Sequence, residues 1–356
     1  MAAIANNANQ EAGTRKFHFS DLMRQQGALV FIIFIGVFVL ASIIFGENFY
    51  SAYNIKTMLI YNSMLAFISL GMTFVIITGG IDLSVSSVAV LASMLAAWFS
   101  RFGLLPAIFV TIFFTTLVGF FNGIVIARWN IQPFIATLVT FMAARGLSLI
   151  MPKVFAIYMP VVLPGVPIEL WANNVLDFSI IIDRTKNMQD ILLDFGGIPI
   201  PIILMIAVYV IGEVALQFSR FGRRTLAIGG NEEASRLMGL PVRRVKVIVY
   251  SLSGALAGLS GVILAARSGV ALPTEAVGWE LQAIAAVVVG GTLLTGGRGS
   301  VISTLMGVLL LGLIFNILNF VNVGGFSLTV YWQSVIRGVF LFIVVLLQAP
   351  WSKRTG

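Results

Sequence analysis

The 356-residue chain is 59% hydrophobic and 10% charged, with a net charge of +8 from 22 basic and 14 acidic side chains; soluble domains average about 45–50% apolar and about 25% charged residues. So few charges cannot cover a water-soluble exterior, so the expected solvent is a bilayer. With no cysteine and a single histidine, His18, disulfide scaffolds, zinc clusters and thiol catalysis are excluded.

In chain order, residues 1–27 form a polar, Asn-rich segment with no apolar stretch leading to a cleavage site, so no cleavable signal is expected. Ten apolar stretches follow, at about 29–45, 58–78, 85–99, 104–127, 132–151, 199–218, 245–266, 281–295, 301–321 and 328–349, each read against the roughly 20 residues that cross a hydrocarbon core. The third and eighth are short and adjoin Gly79-Gly80 and Gly290-Gly291, which suggests interrupted helices buried among their neighbours. The expected fold is all-α: a polytopic membrane domain over 28–350 with about ten transmembrane helices, two inverted halves, and a short tail at 351–356.

The basic residues set the expected orientation. With both termini cytoplasmic, the inner side collects Arg15, Lys16, Arg24, Arg128, Arg220, Arg223, Arg224, Arg236, Arg243, Arg244, Lys246, Arg298, Lys353 and Arg354. The outer side has Lys56, Arg101, Lys153, Arg184, Lys186 and Arg267. This inner excess accounts for the positive charge without nucleic acid. Segment 152–198 then faces the periplasm, either as a loop on the membrane surface or as a docking platform.

Segment 219–246 faces the cytoplasm. Asn231 is a candidate N-cap, Glu232 and Glu233 suit the positive end of a helix dipole, and Gly239 followed by Pro241 is a stop. These signals predict a two-turn helix over 232–238, flanked by arginines and too short and polar to cross. It reads either as a solvated connection or as a docking knob.

Catalytic machinery is missing from the sequence. No G-x-x-x-x-G-K-[ST] phosphate loop occurs, since Gly296-Gly297-Arg298-Gly299-Ser300 lacks the spacing and the lysine. Ionisable groups at membrane depth are few. Asp82, in Gly79-Gly80-Ile81-Asp82-Leu83-Ser84, reads as a helix cap at a break or as a ligand contact. Arg145 marks a polar path or snorkels, and Glu213 and Arg337 read as snorkelling residues near span ends. Uncharged polar groups in or beside the spans, Asn122, Thr137, Thr140, Asn316 and Asn319, suit a path for a neutral, hydroxyl-rich solute, or bond helix to helix. Ser253, Gly254, Ala257, Gly258 and Gly261 give the seventh span a smooth face for close packing.

Four blocks then resemble a known family. They are Gly71-Met72-Thr73 through Gly79-Gly80-Ile81-Asp82-Leu83-Ser84-Val85; Asn122-Gly123 with Pro133-Phe134-Ile135-Ala136-Thr137-Leu138; Ala227-Ile228-Gly229-Gly230-Asn231; and Trp279-Glu280-Leu281-Gln282 through Gly290-Gly291. Together they resemble the permease subunits of bacterial ATP-binding cassette importers for monosaccharides, of the ribose, xylose and galactofuranose type. The resemblance implies an inner-membrane permease paired with a second permease chain, an ATPase subunit that binds ATP and Mg, and a periplasmic sugar-binding protein, with no cofactor in this chain. It also implies that the knob is a coupling helix, because Glu233-Ala234-Ser235-x-x-x-Gly239 looks like the E-A-A-x-x-x-G motif of such importers. Coupling residues would be Asn231, Glu232, Glu233, Ala234, Ser235, Arg236 and Gly239. Path candidates are Asp82, Ser84, Asn122, Phe134, Thr137, Arg145, Asn316 and Asn319. Alternatives are a permease for another small solute, such as a branched-chain amino acid or a sugar-like signal, and a self-sufficient secondary carrier.

Overall fold

A computed structural model describes residues 26–100, 102–162, 197–323, 326–327 and isolated positions between 332 and 342, with backbone alone at 26, 152–162, 322–323 and 326–327. The described elements are helical: α1 (Gln26–Phe45), α2 (Glu47–Tyr50), α3 (Ala52–Ile77), α4 (Val85–Ser100), α5 (Leu104–Trp129), α6 (Pro133–Val162), α7 (Ile200–Phe218), α8 (Arg220–Gly230), α9 (Glu232–Leu237), α10 (Val242–Ser268), α11 (Trp279–Val289) and α12 (Val301–Phe320). A two-residue antiparallel pair, Asn322–Val323 with Phe326–Ser327, is the exception. Among the described residues seven helices are long and apolar enough to cross a membrane, and α4 and α11 are shorter apolar helices. The chain is therefore a multi-pass membrane protein. Helices suit a bilayer because they satisfy every backbone N–H and C=O internally.

Two helices form the axis. The most apolar stretch of α3 is 89% buried and that of α10 is 67% buried, against 11% for α1 and 22% for α5 and α6. They run antiparallel: Ser260 Oγ donates to the Met64 carbonyl at 2.9 Å, the Arg267 guanidinium lies 3.2 Å from the Tyr61 ring centroid, and the Cα of Ser253 packs against Gly71. The smooth face expected of α10 is used on two sides. A side chain at Gly254 or Gly258 would strike Thr115 on α5, and one at Gly261 would strike Ala89 and Ala92 on α4. Close backbone approach takes the place here of hydrophobic driving force, which is missing between helices in lipid. α12 runs antiparallel to α3, with Thr73 Oγ1 donating to Thr304 Oγ1 at 3.0 Å.

Several boundaries differ from the sequence expectation. The second apolar stretch begins at Ala52 and takes in Lys56, and the fifth continues to Val162, so 152–162 extends α6 and does not begin the loop. The eighth stops at Val289 and not 295, because Gly291 takes φ +92° and the helix closes with Thr292 N donating to the Val287 carbonyl at 3.1 Å and Gly291 N to the Val288 carbonyl at 2.9 Å. Of the two Gly pairs, Gly79-Gly80 precedes short helix α4, whereas Gly290-Gly291 follows short helix α11. Segment 219–246 holds a helix the sequence reading lacked, α8, capped by Ser219 Oγ accepting from Gly222 N at 3.0 Å. The expected span 328–349, Arg337, segments 1–25 and 163–196 and the tail at 351–356 lie outside the described residues or are described only at isolated positions.

Candidate solute path and coupling segment

At the break between α3 and α4, Asp82 is buried and accepts three hydrogen bonds: from Ser84 N at 3.0 Å, Ser84 Oγ at 2.5 Å and Ser253 Oγ on α10 at 2.7 Å. It caps the first turn of α4 and ties the break to the central axis. Ser84 Oγ in turn accepts from Asn122 Nδ2 at 3.1 Å, and Asn122 Oδ1 accepts from Thr140 Oγ1 at 2.5 Å. Thr137 Oγ1 accepts from Leu83 N at 3.1 Å and donates to the Pro133 carbonyl at 2.9 Å. The structure thus joins four expected path residues, Asp82, Ser84, Asn122 and Thr137, in one buried network linking α4, α5, α6 and α10. Phe134 is exposed on α6. Arg145 donates Nη1 to the Glu275 carbonyl at 3.0 Å and so holds the 269–278 loop.

Glu213 is a correction. It does not snorkel: it is buried, and its Oε2 accepts from Ile302 N at 3.3 Å, with Gln217 donating to Oε1. A carboxylate at the positive end of α12 is well placed for the helix dipole, and no local sequence signal foretells it because α12 arrives from 89 residues away.

The remaining path candidates, Asn316 and Asn319, line a cavity of about 280 Å³ between α3, α11 and α12, with Tyr61, Asn62, Trp279 and Gln282. That is small beside the roughly 300–1,000 Å³ of pockets for drug-sized ligands. Four amides and three aromatic rings, including Phe315, face it, and among the described residues no charged side chain lines it. Asn54 and Asn316 exchange hydrogen bonds at 3.1 and 2.9 Å, fixing the Asn316 amide. Asn62 is buried, and its Nδ2 has no hydrogen-bond partner among the described residues. Such a donor is costly unless something fills the cavity and accepts from it. The sequence reading omitted Asn62, although an amide within an apolar stretch is the same signal that marks Asn122 and Asn316; its position opposite Gly312, where a side chain would collide with the amide, shows only in three dimensions.

At the far end of α3 lies the segment expected to act in coupling. Asn231 Oδ1 accepts from Ala234 N at 2.8 Å, capping α9. The helix closes with a Schellman pair, Leu240 N to the Ser235 carbonyl at 3.0 Å and Gly239 N to the Arg236 carbonyl at 3.0 Å, and Gly239 has φ +79°, where glycine is favoured. Glu232 accepts from Arg236 at 3.2 Å and from Lys246 on α10 at 2.6 Å. The tip presents Leu237 and Met238, 84% and 70% exposed. Two large apolar side chains on an otherwise polar knob mark an interaction surface; they fall outside the expected coupling set, and their signal was apolar residues where a solvated turn would be polar.

Beneath the knob three glycine pairs meet. A side chain on Gly229 would collide with the Ile77 carbonyl at the end of α3, and Gly296 and Gly297 pack on Gly79 and on Gly229-Gly230. Gly297 N donates to the Ile77 carbonyl at 2.9 Å. The backbone of α8, leading into the knob, is thus in direct contact with the end of the helix that walls the cavity.

A polytopic helical core, a small amide-lined cavity and a capped external knob fit a membrane transport component. The chain belongs to the family described as branched-chain amino acid transport system / permease component, whose model matches residues 54–345. It is 40% identical over 338 residues to the ribose import permease protein RbsC of Bacillus subtilis, covering 94% of this chain and 95% of that one. It is 35% identical to RbsC of Escherichia coli K12, covering 95% and 97%, and 34% identical to the L-arabinose transport system permease protein AraH of Escherichia coli K12, covering all of both. No solved structure matches the chain.

Proposed function

We propose that this chain is the membrane subunit of an ATP-binding cassette importer in the bacterial inner membrane. It takes a monosaccharide from a periplasmic binding protein, while a partner chain binds and hydrolyses ATP with Mg and a second permease chain completes the complex. The observation that carries the solute class is the cavity lining, amides and aromatic faces without a charge. Sugar hydroxyls donate to and accept from amides, and their C–H faces stack on rings such as Trp279. A free branched-chain amino acid would bring a carboxylate and an ammonium into a cavity whose described lining residues carry no charge, Arg267 being stacked on the Tyr61 ring. Similarity to permeases named for ribose and L-arabinose supports the same choice.

Ten crossings with both termini cytoplasmic fit the alternating helix directions. The start of α1 at Gly27 lies by Ser303, on the same face as the glycine junction, and a tenth crossing at 328–349 would return the chain there. Asn62, Asn316 and Asn319 form the path in this reading, while Asp82, Ser84, Asn122 and Thr137 hold its frame. Docking of Leu237 and Met238 on the ATPase moves α9, α8 transmits the movement through the glycine junction to α3, and α3 shifts one cavity wall. From Ile77 to Leu65 the rod is about 18 Å long at 1.5 Å per residue, and its burial keeps it stiff. The two faces then open in turn.

Purification in mild detergent and mass spectrometry of the co-purifying chains test this. An ATPase with a phosphate loop is expected in about equal amount, and Leu237→Asp with Met238→Asp should release it while the permease still inserts. ATP-independent uptake in sealed vesicles would instead establish a self-sufficient carrier.

A further inference from the structure

On the knob face of the molecule, α5 ends and α10 begins side by side, with Gly123 against the Val247 backbone. Between them lies a groove of about 460 Å³, apolar along Phe120, Ile124 and Val247 and rimmed by Arg128, Arg243 and Arg244. All three arginines are exposed and make no ion pair with any described residue. Arg128 suits the negative end of α5, but Arg243 and Arg244 stand in the first turn of α10, where the dipole is already positive and no side chain caps the helix. Lys246, one turn on, is neutralised by Glu232, which leaves the rim with an uncompensated triple charge. Trp129, exposed beside Arg128, belongs at headgroup depth. From Arg128 down to Phe120 the groove runs about 12 Å into the hydrocarbon.

We propose that this groove is a binding site for an anionic diacyl phospholipid of the cytoplasmic leaflet, its phosphate held by Arg128, Arg243 and Arg244 and an acyl chain laid over Phe120, Ile124 and Val247. A free phosphate ion would satisfy the rim and leave the apolar floor unused, so the groove selects the lipid. Bound there, the lipid bridges the base of α10, to which the coupling helix is tied through Lys246, and the end of α5. The assignment rests on the membrane reading with the knob face cytoplasmic; it does not depend on which solute crosses.

Native mass spectrometry of the full chain, exchanged into detergent with phosphatidylglycerol or phosphatidylcholine, reads the site directly. One phosphatidylglycerol per chain should be retained preferentially. Each arginine changed to Gln should weaken retention about fivefold, and all three about a hundredfold, from the usual worth of a basic residue at an anionic surface. The triple Arg→Lys variant, with unchanged charge, should retain the lipid and controls for misfolding. Equal retention of phosphatidylcholine, undiminished retention in the Gln variants, or displacement by inorganic phosphate at low concentration would overturn the proposal. So would a Gln variant that keeps its lipid but loses the co-purifying ATPase, since the rim would then be a protein contact. A failed sugar assay with intact lipid selectivity would count against the solute assignment alone.

Discussion

Removing the Asp82 carboxylate should destabilise the fold before it affects transport. In Asp82→Ala, three donors that now reach the carboxylate, Ser84 N, Ser84 Oγ and Ser253 Oγ, are left in a dry interior. Each unsatisfied donor costs about 1–3 kcal/mol. Both hydroxyls can turn toward backbone carbonyls, so a total of about 4 kcal/mol is expected, a fall in apparent melting temperature of roughly 5–10 °C. Asp82→Asn keeps an oxygen for Ser84 and places an amide against Ser253 Oγ, which accepts as readily as it donates; it should cost about 1 kcal/mol. The assay is thermal loss of the monodisperse peak in detergent, run beside uptake in vesicles. An Asp82→Ala protein as stable as the parent would refute the capping argument. A fully stable Asp82→Asn protein with no uptake would place the carboxylate in contact with the solute.

Three further outcomes are expected. Asn62→Leu or Asn316→Leu should raise the KM for sugar uptake about tenfold, the loss of one or two hydrogen bonds, with insertion and ATPase association unchanged; unaltered uptake kinetics would remove the cavity from the path. Gly229→Val forces a side chain into the Ile77 carbonyl and should uncouple ATP hydrolysis from uptake, which simultaneous measurement of both rates on one preparation would detect. Burial raises the pKa of Glu275, in the loop after α10, while Ser268 and Arg267 pull it down less strongly. A raised folded value means that the protonated form is favoured on folding, so its stabilisation is complete below the ordinary carboxylate value of 4.5 and is lost as pH rises through the folded value. Glu275→Gln should therefore raise the melting temperature at neutral pH, with the gain vanishing below about pH 4.5, as melting curves across pH would show.

What could be read from the sequence follows the range of the forces involved. α9 was placed within one residue, Glu232–Leu237 against an expected 232–238, because its caps are local: Asn231 at one end and Gly239 at the other act over three or four positions. The packing face of α10 was likewise visible, since small residues at helical spacing have one main use between membrane helices. The end of α11 was misplaced although its stop is local: Gly291 turns to φ +92° and closes the helix with a Schellman pair, but Gly290-Gly291 sits inside an apolar run that reads as a continuing span. The polar residues were identified as a class, but their division into a sealed frame around Asp82 and a cavity around Asn62 depends on which helices meet. Residues 82 and 253, or 62 and 312, become neighbours only through the fold.

The tether between Glu232 and Lys246 bears on how such subunits can be recombined. The knob's orientation is fixed by a residue in the first turns of α10, beyond the stretch that carries the coupling motif. A chimaera that exchanges residues 231–239 alone would carry over the proposed docking tip and its caps without the anchor that aims it. The transplantable unit ends at residue 246, and specificity for a particular ATPase should travel only with the longer exchange.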